Sequence, residues 1–275
     1  MTILSCIIGA NRFLIDTSAG TDISIPLIFN GSQPAHFGVP PATASVFQDG
    51  SFIGDTRKGG GCNVRTYSFI PHCNGTHTET VGHILYEAAS IGSLNELLVP
   101  TTLISVSPTL AGEVNDSYTP DKQLQDLLIT RSDIKNALDA LGNDLDWLGG
   151  LIVRSLPNDE SKRERDYLKE APAFFSYEAM QFISKLPVKH LIVDLPSVDR
   201  LYDEGRLSGH HTFWNVAENQ QALTEDVRSD RTITEMVYAP DSLADGHYFS
   251  SIQVPNFVED AAPSRVLLYP ACREK

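Results

Sequence analysis

The sequence is poor in cysteine and in positive charge, and it has no long apolar run. Its 275 residues include 4 cysteines. Cys6, Cys62, Cys73 and Cys272 stand apart with no CxxC pair, which argues against a zinc ribbon or a thioredoxin-type redox site. Reduced thiols in a cytoplasm are the expectation. Lys and Arg number 21 against 35 Asp and Glu, a formal net charge of −14. Such a surface repels nucleic-acid phosphates and anionic membranes, so neither is expected as a partner. No stretch approaches the ~18 apolar residues of a membrane span. The opening Leu4–Ile8 stretch is broken at once by Gly9-Ala-Asn-Arg12 and does not read as a secretory leader. Without a leader, the sequons at Asn30, Asn74 and Asn115 carry no weight. What is present is an ordinary globular composition, 41% hydrophobic and 20% charged, large enough to bury a core without disulfides. A soluble, cytoplasmic protein is expected.

Patterning predicts an α/β fold. Phe13–Asp16 and Ile23–Phe29 read as short strands ended by Gly, Asn or Ser. Residues 31–62, with Pro34, Pro40, Pro41 and Gly59-Gly-Gly61, read as a loop-rich flap. Val64 to Ile70 alternates. Thr119-Pro120-Asp121 predicts a helix start, with Leu124, Leu127 and Leu128 on one face. Ser132 predicts an N-cap for a helix over Asp133–Leu141 that Gly142 stops. Leu151–Arg154 and Val188–Val193 read as buried strands, with a helix over Ser176–Ile183 between them. Thr232–Tyr238, Phe249–Val254 and Arg265–Tyr269 return to strands. No repeat or linker divides the chain, so one domain is expected. Trp147 and Trp214 are expected as core anchors. Ser161 to Lys169 reads as a solvated charge run. His247 reads as a turn residue and His190 as a strand-end histidine.

The chemistry concentrates in one segment. Three of the 8 histidines, His72, His77 and His83, lie close together beside Cys73 and Glu79. His77 and Glu79 are two apart, so on an extended segment both leave the same face. Imidazole nitrogen and carboxylate oxygen suit Zn²⁺, Mn²⁺ or Fe²⁺. Gly75 permits a tight turn or a close approach, and Gly82 would allow the turn that brings His83 back. A single histidine is usually a surface or satisfied polar residue; three with a carboxylate and a thiol point to a site. Spacing alone names neither the metal nor the reaction.

Cys73-Asn-Gly-Thr-His-Thr-Glu-Thr-Val-Gly-His83 resembles the H-x-G-T-H-x-D-x-P-x-H signature of the cyclase superfamily, which includes bacterial kynurenine formamidase and isatin hydrolase. Further resemblances follow in order: Asp22-Ile-Ser-Ile-Pro-Leu27, Asp194-Leu-Pro-Ser-Val-Asp199, Gly209-His-His-Thr-Phe-Trp214, Thr232-Ile-Thr-Glu235 with Leu243, and Ser264-Arg-Val-Leu-Leu268. The resemblance implies a swivelling β/β/α-type single domain, with mixed β-sheets and flanking helices, forming a homodimer or homotetramer. It implies one or two ions, Zn²⁺ or Mn²⁺. His77 and Glu79 would be ligands, and His210 or His211 with Glu235 would complete the shell. His83 would be the general base. The implied substrate is a small molecule with a strained or activated amide. Cys73 stands where the family has its first histidine, so either Cys73 ligates or a shifted backbone brings in His72. Glu79 replaces an Asp and Val81 a Pro. His72, Thr76, Arg65 and Tyr67 are the candidate substrate contacts, and His36 flanks the same region. A lactone or ester substrate, or a pocket that binds without catalysis, are the alternatives.

Overall fold

The computed structural model describes residues 2–86 and 89–274. At its centre four strands run parallel: Val99–Val106, Gly150–Ser155, His190–Val193 and Thr232–Glu235. Strands covered on both faces read as continuous apolar runs, which is why Leu151-Ile-Val and Leu191-Ile-Val show no alternation. Their side chains still leave opposite faces in turn. Ile104, Leu151, Val153, Leu191 and Val193 pack against Ile134, Leu138, Met180, Ile183, Phe213 and Trp214. Those partners come from the helices Arg131–Ala140, Tyr177–Ser184 and Ser208–Trp214. Leu103, Ile152 and Ile192 point the other way, against Ile23, Val237, Ile252, Val266 and Leu268. Each fully buried aliphatic side chain contributes about 1.5–3 kcal/mol of transfer free energy.

Antiparallel strands complete the sheet on both sides. Gly246–Gln253, Arg265–Pro270 and Thr21–Asp22 follow beyond Val99–Val106. His77–Thr80 and then Ala261–Pro263 lie beyond Thr232–Glu235. This is the expected mixed α/β architecture. Trp147 and Trp214 are buried anchors, as expected. Among the described residues no helix is long and apolar enough to cross a membrane.

Several local expectations are corrected. The Arg131–Ala140 helix is capped by Thr130, not Ser132, and Asp133 bonds back to the Thr130 backbone to complete a capping box. The helix predicted from Thr119 does not form; Leu127–Ile129 is a strand pairing with Phe174–Phe175. A short apolar run looks the same locally in either state, and tertiary pairing decides. Of Ile23–Phe29, Ser24 makes an isolated bridge to Val237, and the run forms no strand. Within residues 31–62 Gln48–Asp49 pairs antiparallel with Phe52–Ile53, and Thr43–Val46 pairs antiparallel with Arg65–Ser68 just beyond the segment. His247 lies on strand Gly246–Gln253 and stacks on Trp147 at 5.1 Å. The 161–169 charge run is not wholly solvated. Lys162 is buried, 2.8 Å from Asp194 Oδ2, and its ammonium also donates to Ser155 Oγ at 3.1 Å. That pair ties the run to the end of strand His190–Val193, where the 194–199 turn begins.

Candidate metal centre

Two neighbouring strands set the register of the site. His77–Thr80 pairs antiparallel with Thr232–Glu235, with His77 opposite Glu235 and Glu79 opposite Ile233. His77 and Glu79 share a face because they are two apart. Before them the short helix Pro71–Asn74 carries His72; after them the turn Val81–His83 returns His83 to the same place. At Gly82 a Cβ would lie 3.1 Å from the Cβ of Asp260, so the absence of a side chain there lets the turn approach Asp260 closely.

The polar atoms converge. Glu79 Oε2 lies 2.9 Å from His72 Nδ1, and Glu79 Oε1 lies 2.8 Å from His210 Nε2. His77 Nδ1 donates to the Gly75 carbonyl at 3.0 Å. That bond turns His77 Nε2 into the cluster, 3.3 Å from Glu235 Oε2 and 4.0 Å from Glu79 Oε2. It is buried and has no hydrogen-bond partner. An imidazole nitrogen held between two carboxylates is well placed to share a cation with them. Glu235 is steadied by the Val198 N–H, which donates to its Oε1 at 2.9 Å. His210 Nδ1 lies 2.5 Å from Asp199 Oδ2, so Nε2 is the nitrogen turned into the cluster. Asp199 also accepts from the backbone of Gly209 and His210, and a Cβ on Gly209 would lie 2.9 Å from its Oδ1.

One side of the cluster is closed and the other open. His77, Glu79, His210 and Glu235 are buried, whereas His72, His83 and Asp260 are partly exposed. Asp260 Oδ2 faces His72 Nε2 at 2.9 Å and His83 Nδ1 at 3.5 Å. Three overlapping sets could each hold a cation, with ligand atoms within 4.8 Å of one another: His72, His77 and Glu79; His72, His83 and Asp260; Glu79, His83 and His210. Protonation follows this crowding. Burial pushes the Glu79 carboxyl up, but His83 and His210 outweigh it and hold the group well below the usual range. Burial pushes His210 down, yet Glu79 and Asp199 raise it well above an ordinary imidazole. His72 is likewise opposed by burial and is raised to about 10 by its bonds to Asp260 and Glu79. Clustered carboxylates thus recruit positive charge. A divalent ion suits the same donors.

Not every candidate arrives here. Cys73 is buried on the same short helix as His72, but consecutive helical residues diverge by about 100°, and it joins none of the three sets. Burial, then the charge of Glu235, pushes its thiol up to about 11. His211 is turned away for the same helical reason, with Nδ1 at 3.0 Å from the Val216 carbonyl. Thr76 is occupied structurally: its hydroxyl donates to the Met236 carbonyl and accepts from Ile25 N–H at 2.8 Å. Arg65 and Tyr67 lie exposed on strand Arg65–Ser68, where Tyr67 packs on Phe29 at 4.7 Å. Sequence reasoning did not single out Asp199 or Asp260. Asp199 closes the Asp194–Asp199 stretch and had that signal; Asp260 had none.

A family model for Cyclase matches residues 21–200, more than half of the chain. The chain belongs to the Cyclase family. The matched span includes His72 to His83 and Asp199, while His210, Glu235 and Asp260 lie beyond it. Solved structures of similar fold include isatin hydrolase A from Labrenzia aggregata bound to benzyl benzoate, 14% identical, with 92% of this chain and 93% of that chain covered and a TM-score of 0.63. Another is a potential metal-dependent hydrolase with cyclase activity, 19% identical, covering 91% of this chain and 98% of that one, TM-score 0.57. A predicted metal-dependent hydrolase from Bacillus stearothermophilus is 17% identical over 91% of this chain and 97% of that one, TM-score 0.55. At these identities the likeness establishes the fold. No curated protein matches this cyclase-family sequence.

Proposed function

We propose that this cyclase-family chain is a metal-dependent hydrolase that cleaves the C–N bond of a small amide, either an aryl formamide or a cyclic amide. The observation that carries the reading is the buried, unpartnered Nε2 of His77, 3.3 Å from Glu235 and 4.0 Å from Glu79. On this reading His72, His77, Glu79, His210 and Glu235 would hold one or two ions, Zn²⁺ or Mn²⁺; Glu79 belongs to two of the candidate sets, and Glu235 faces His77. A divalent cation there supplies Lewis acidity and brings the pKa of water towards neutrality.

The chain's own residues do the rest. Asp199 holds His210 in the tautomer that presents Nε2. His83 stands on the open side, where a water and a substrate can reach it. Asp260, 3.5 Å from His83 Nδ1, orients the ring and leaves Nε2 to take a proton from the attacking water. The same nitrogen then returns the proton to the leaving amine. The experiment is elemental measurement of untreated protein, followed by hydrolysis assays on formanilide and isatin before and after chelation. One to two transition ions per chain, with turnover lost on chelation and restored by Zn²⁺ or Mn²⁺, is the expected result. Protein that holds no transition metal and takes none up would overturn it.

A further inference from the structure

Residues 116–119 form no strand or helix, yet each of them is fastened. Asp116 Oδ2 accepts from the Arg131 N–H at 2.9 Å and from the Ser176 hydroxyl at 2.7 Å. Ser117 donates its N–H and its hydroxyl to the Glu178 carboxylate, both at 2.7 Å. The Thr119 carbonyl accepts from Ser208 Oγ at 2.6 Å. Between them Tyr118 is buried, its ring packed with Ala111, Leu128 and Phe174 and edge-on to Phe174 at 4.8 Å. A Phe would serve that packing as well. The hydroxyl has another use.

It lies 2.7 Å from Asp199 Oδ1 and accepts the Arg200 N–H at 3.1 Å. Burial, then the charge of Asp199, pushes the phenol up, so Tyr118 stays protonated and donates to the acceptor-only carboxylate. That carboxylate is fully engaged. Oδ1 also accepts from the Gly209 N–H at 2.6 Å; Oδ2 accepts from the His210 N–H at 3.2 Å and faces His210 Nδ1 at 2.5 Å. Three of these four partners belong to the helix Ser208–Trp214, so the carboxylate and that helix could shift together. Tyr118 is the fourth, and it is anchored elsewhere. Through Arg200 it holds the turn backbone as well.

We propose that Tyr118 is a positioning residue of the metal centre: its hydroxyl fixes the Asp199 carboxylate, and through it the place of His210 Nε2, 2.8 Å from Glu79. The inference rests on the metal-dependent reading above and deepens it. Tyr118 touches neither cation nor substrate in it.

Tyr118→Phe, Asp199→Ala and the double variant test the proposal by chelator competition for Zn²⁺, with the His210 ring N–H followed by proton NMR in the metal-free proteins. Tyr118→Phe is expected to raise the Kd for Zn²⁺ about fivefold, less than the 10–100-fold of a direct partner of a ligating histidine. Its metal-free melting temperature should stay near that of wild type, and the His210 resonance should shift. In the Asp199→Ala background the same substitution should change Kd by less than about twofold, since no carboxylate is left for Tyr118 to hold. An unchanged Kd in Tyr118→Phe overturns the proposal. So does a fivefold loss that persists without Asp199, which would mean another route to the metal, and so does a large drop in melting temperature, which would make the hydroxyl a packing element. Wild-type protein that takes up no metal removes the hydrolase reading; the resonance then decides, and an unmoved one in Tyr118→Phe overturns this proposal too. Protein that binds Zn²⁺ with the expected dependence on Tyr118 but hydrolyses neither formanilide nor isatin removes the hydrolase reading and leaves this one standing.

Discussion

His210 Nδ1 and Asp199 Oδ2 lie 2.5 Å apart, at the point where the 194–199 turn meets the helix Ser208–Trp214. A carboxylate behind a histidine fixes which nitrogen faces the cluster and strengthens it as a ligand. Asp199→Asn is therefore expected to weaken metal binding about 10–100-fold, read as Kd by chelator competition. Unchanged affinity would detach Asp199 from the centre.

His77 and His83 should separate cleanly. His77→Ala is expected to lose metal and to melt at a lower temperature, since an ion bound to the native state at 100 times its Kd stabilises it by about 2.7 kcal/mol. His83→Ala should keep its metal and lose about 10²–10⁴-fold in turnover. Elemental measurement and a formanilide assay on both variants check this; strong metal loss in His83→Ala would make His83 a ligand.

The Lys162–Asp194 pair is a stability device. Burial pushes the Asp194 carboxyl up, and Lys162 offsets only part of that rise. Lys162→Met leaves that carboxylate buried without its cation, a change expected to cost about 3–5 kcal/mol. Denaturant unfolding of the single variant, and of Lys162→Met with Asp194→Leu, checks it. The double variant should recover much of the loss.

Glu96 sets an acid limit. Its bond to His190 at 2.5 Å, opposed by burial and helped by the charges of His190 and Lys189, lowers its pKa from 4.5 to about 2. A depressed carboxyl contributes stability that is present above pH 4.5 and is lost as pH falls through about 2. The side chain is 38% exposed, so the contribution is expected to be no more than about 1 kcal/mol. Glu96→Gln should flatten the fall in stability between those two pH values, measured by unfolding across the range. A fall as steep as in wild type would place the acid limit elsewhere.

Much of this molecule was legible locally. Leu151-Ile-Val and Leu191-Ile-Val announce buried strands because two-sided burial leaves no alternation. The helix read over Ser176–Ile183 is present at Tyr177–Ser184, with Ser176 as its cap. His77 and Glu79 share a face by spacing alone. The misses are equally physical. Leu127–Ile129 reads as helix or strand until Phe174 and Phe175 pair with it. Lys162 in a charge run gives no sign that Asp194 waits 2.8 Å away. Asp260 sits far along the chain from the histidines it faces.

By itself, then, the sequence determined the buried central strands, the short segment with a histidine and a carboxylate on one strand face, the excess of negative charge and the lack of long apolar runs. Those are properties of neighbours along the chain, and side-chain chemistry with backbone period suffices for them. Tertiary structure alone decided that His77 stands opposite Glu235, that His72 and not Cys73 faces Glu79, and that Asp199 and Asp260 stand behind His210 and His83. Strand register and helix rotation make those choices. A slip of one residue in the pairing would turn His77 and Glu79 to the far face together, and about 100° of helix separates a ligand from its neighbour.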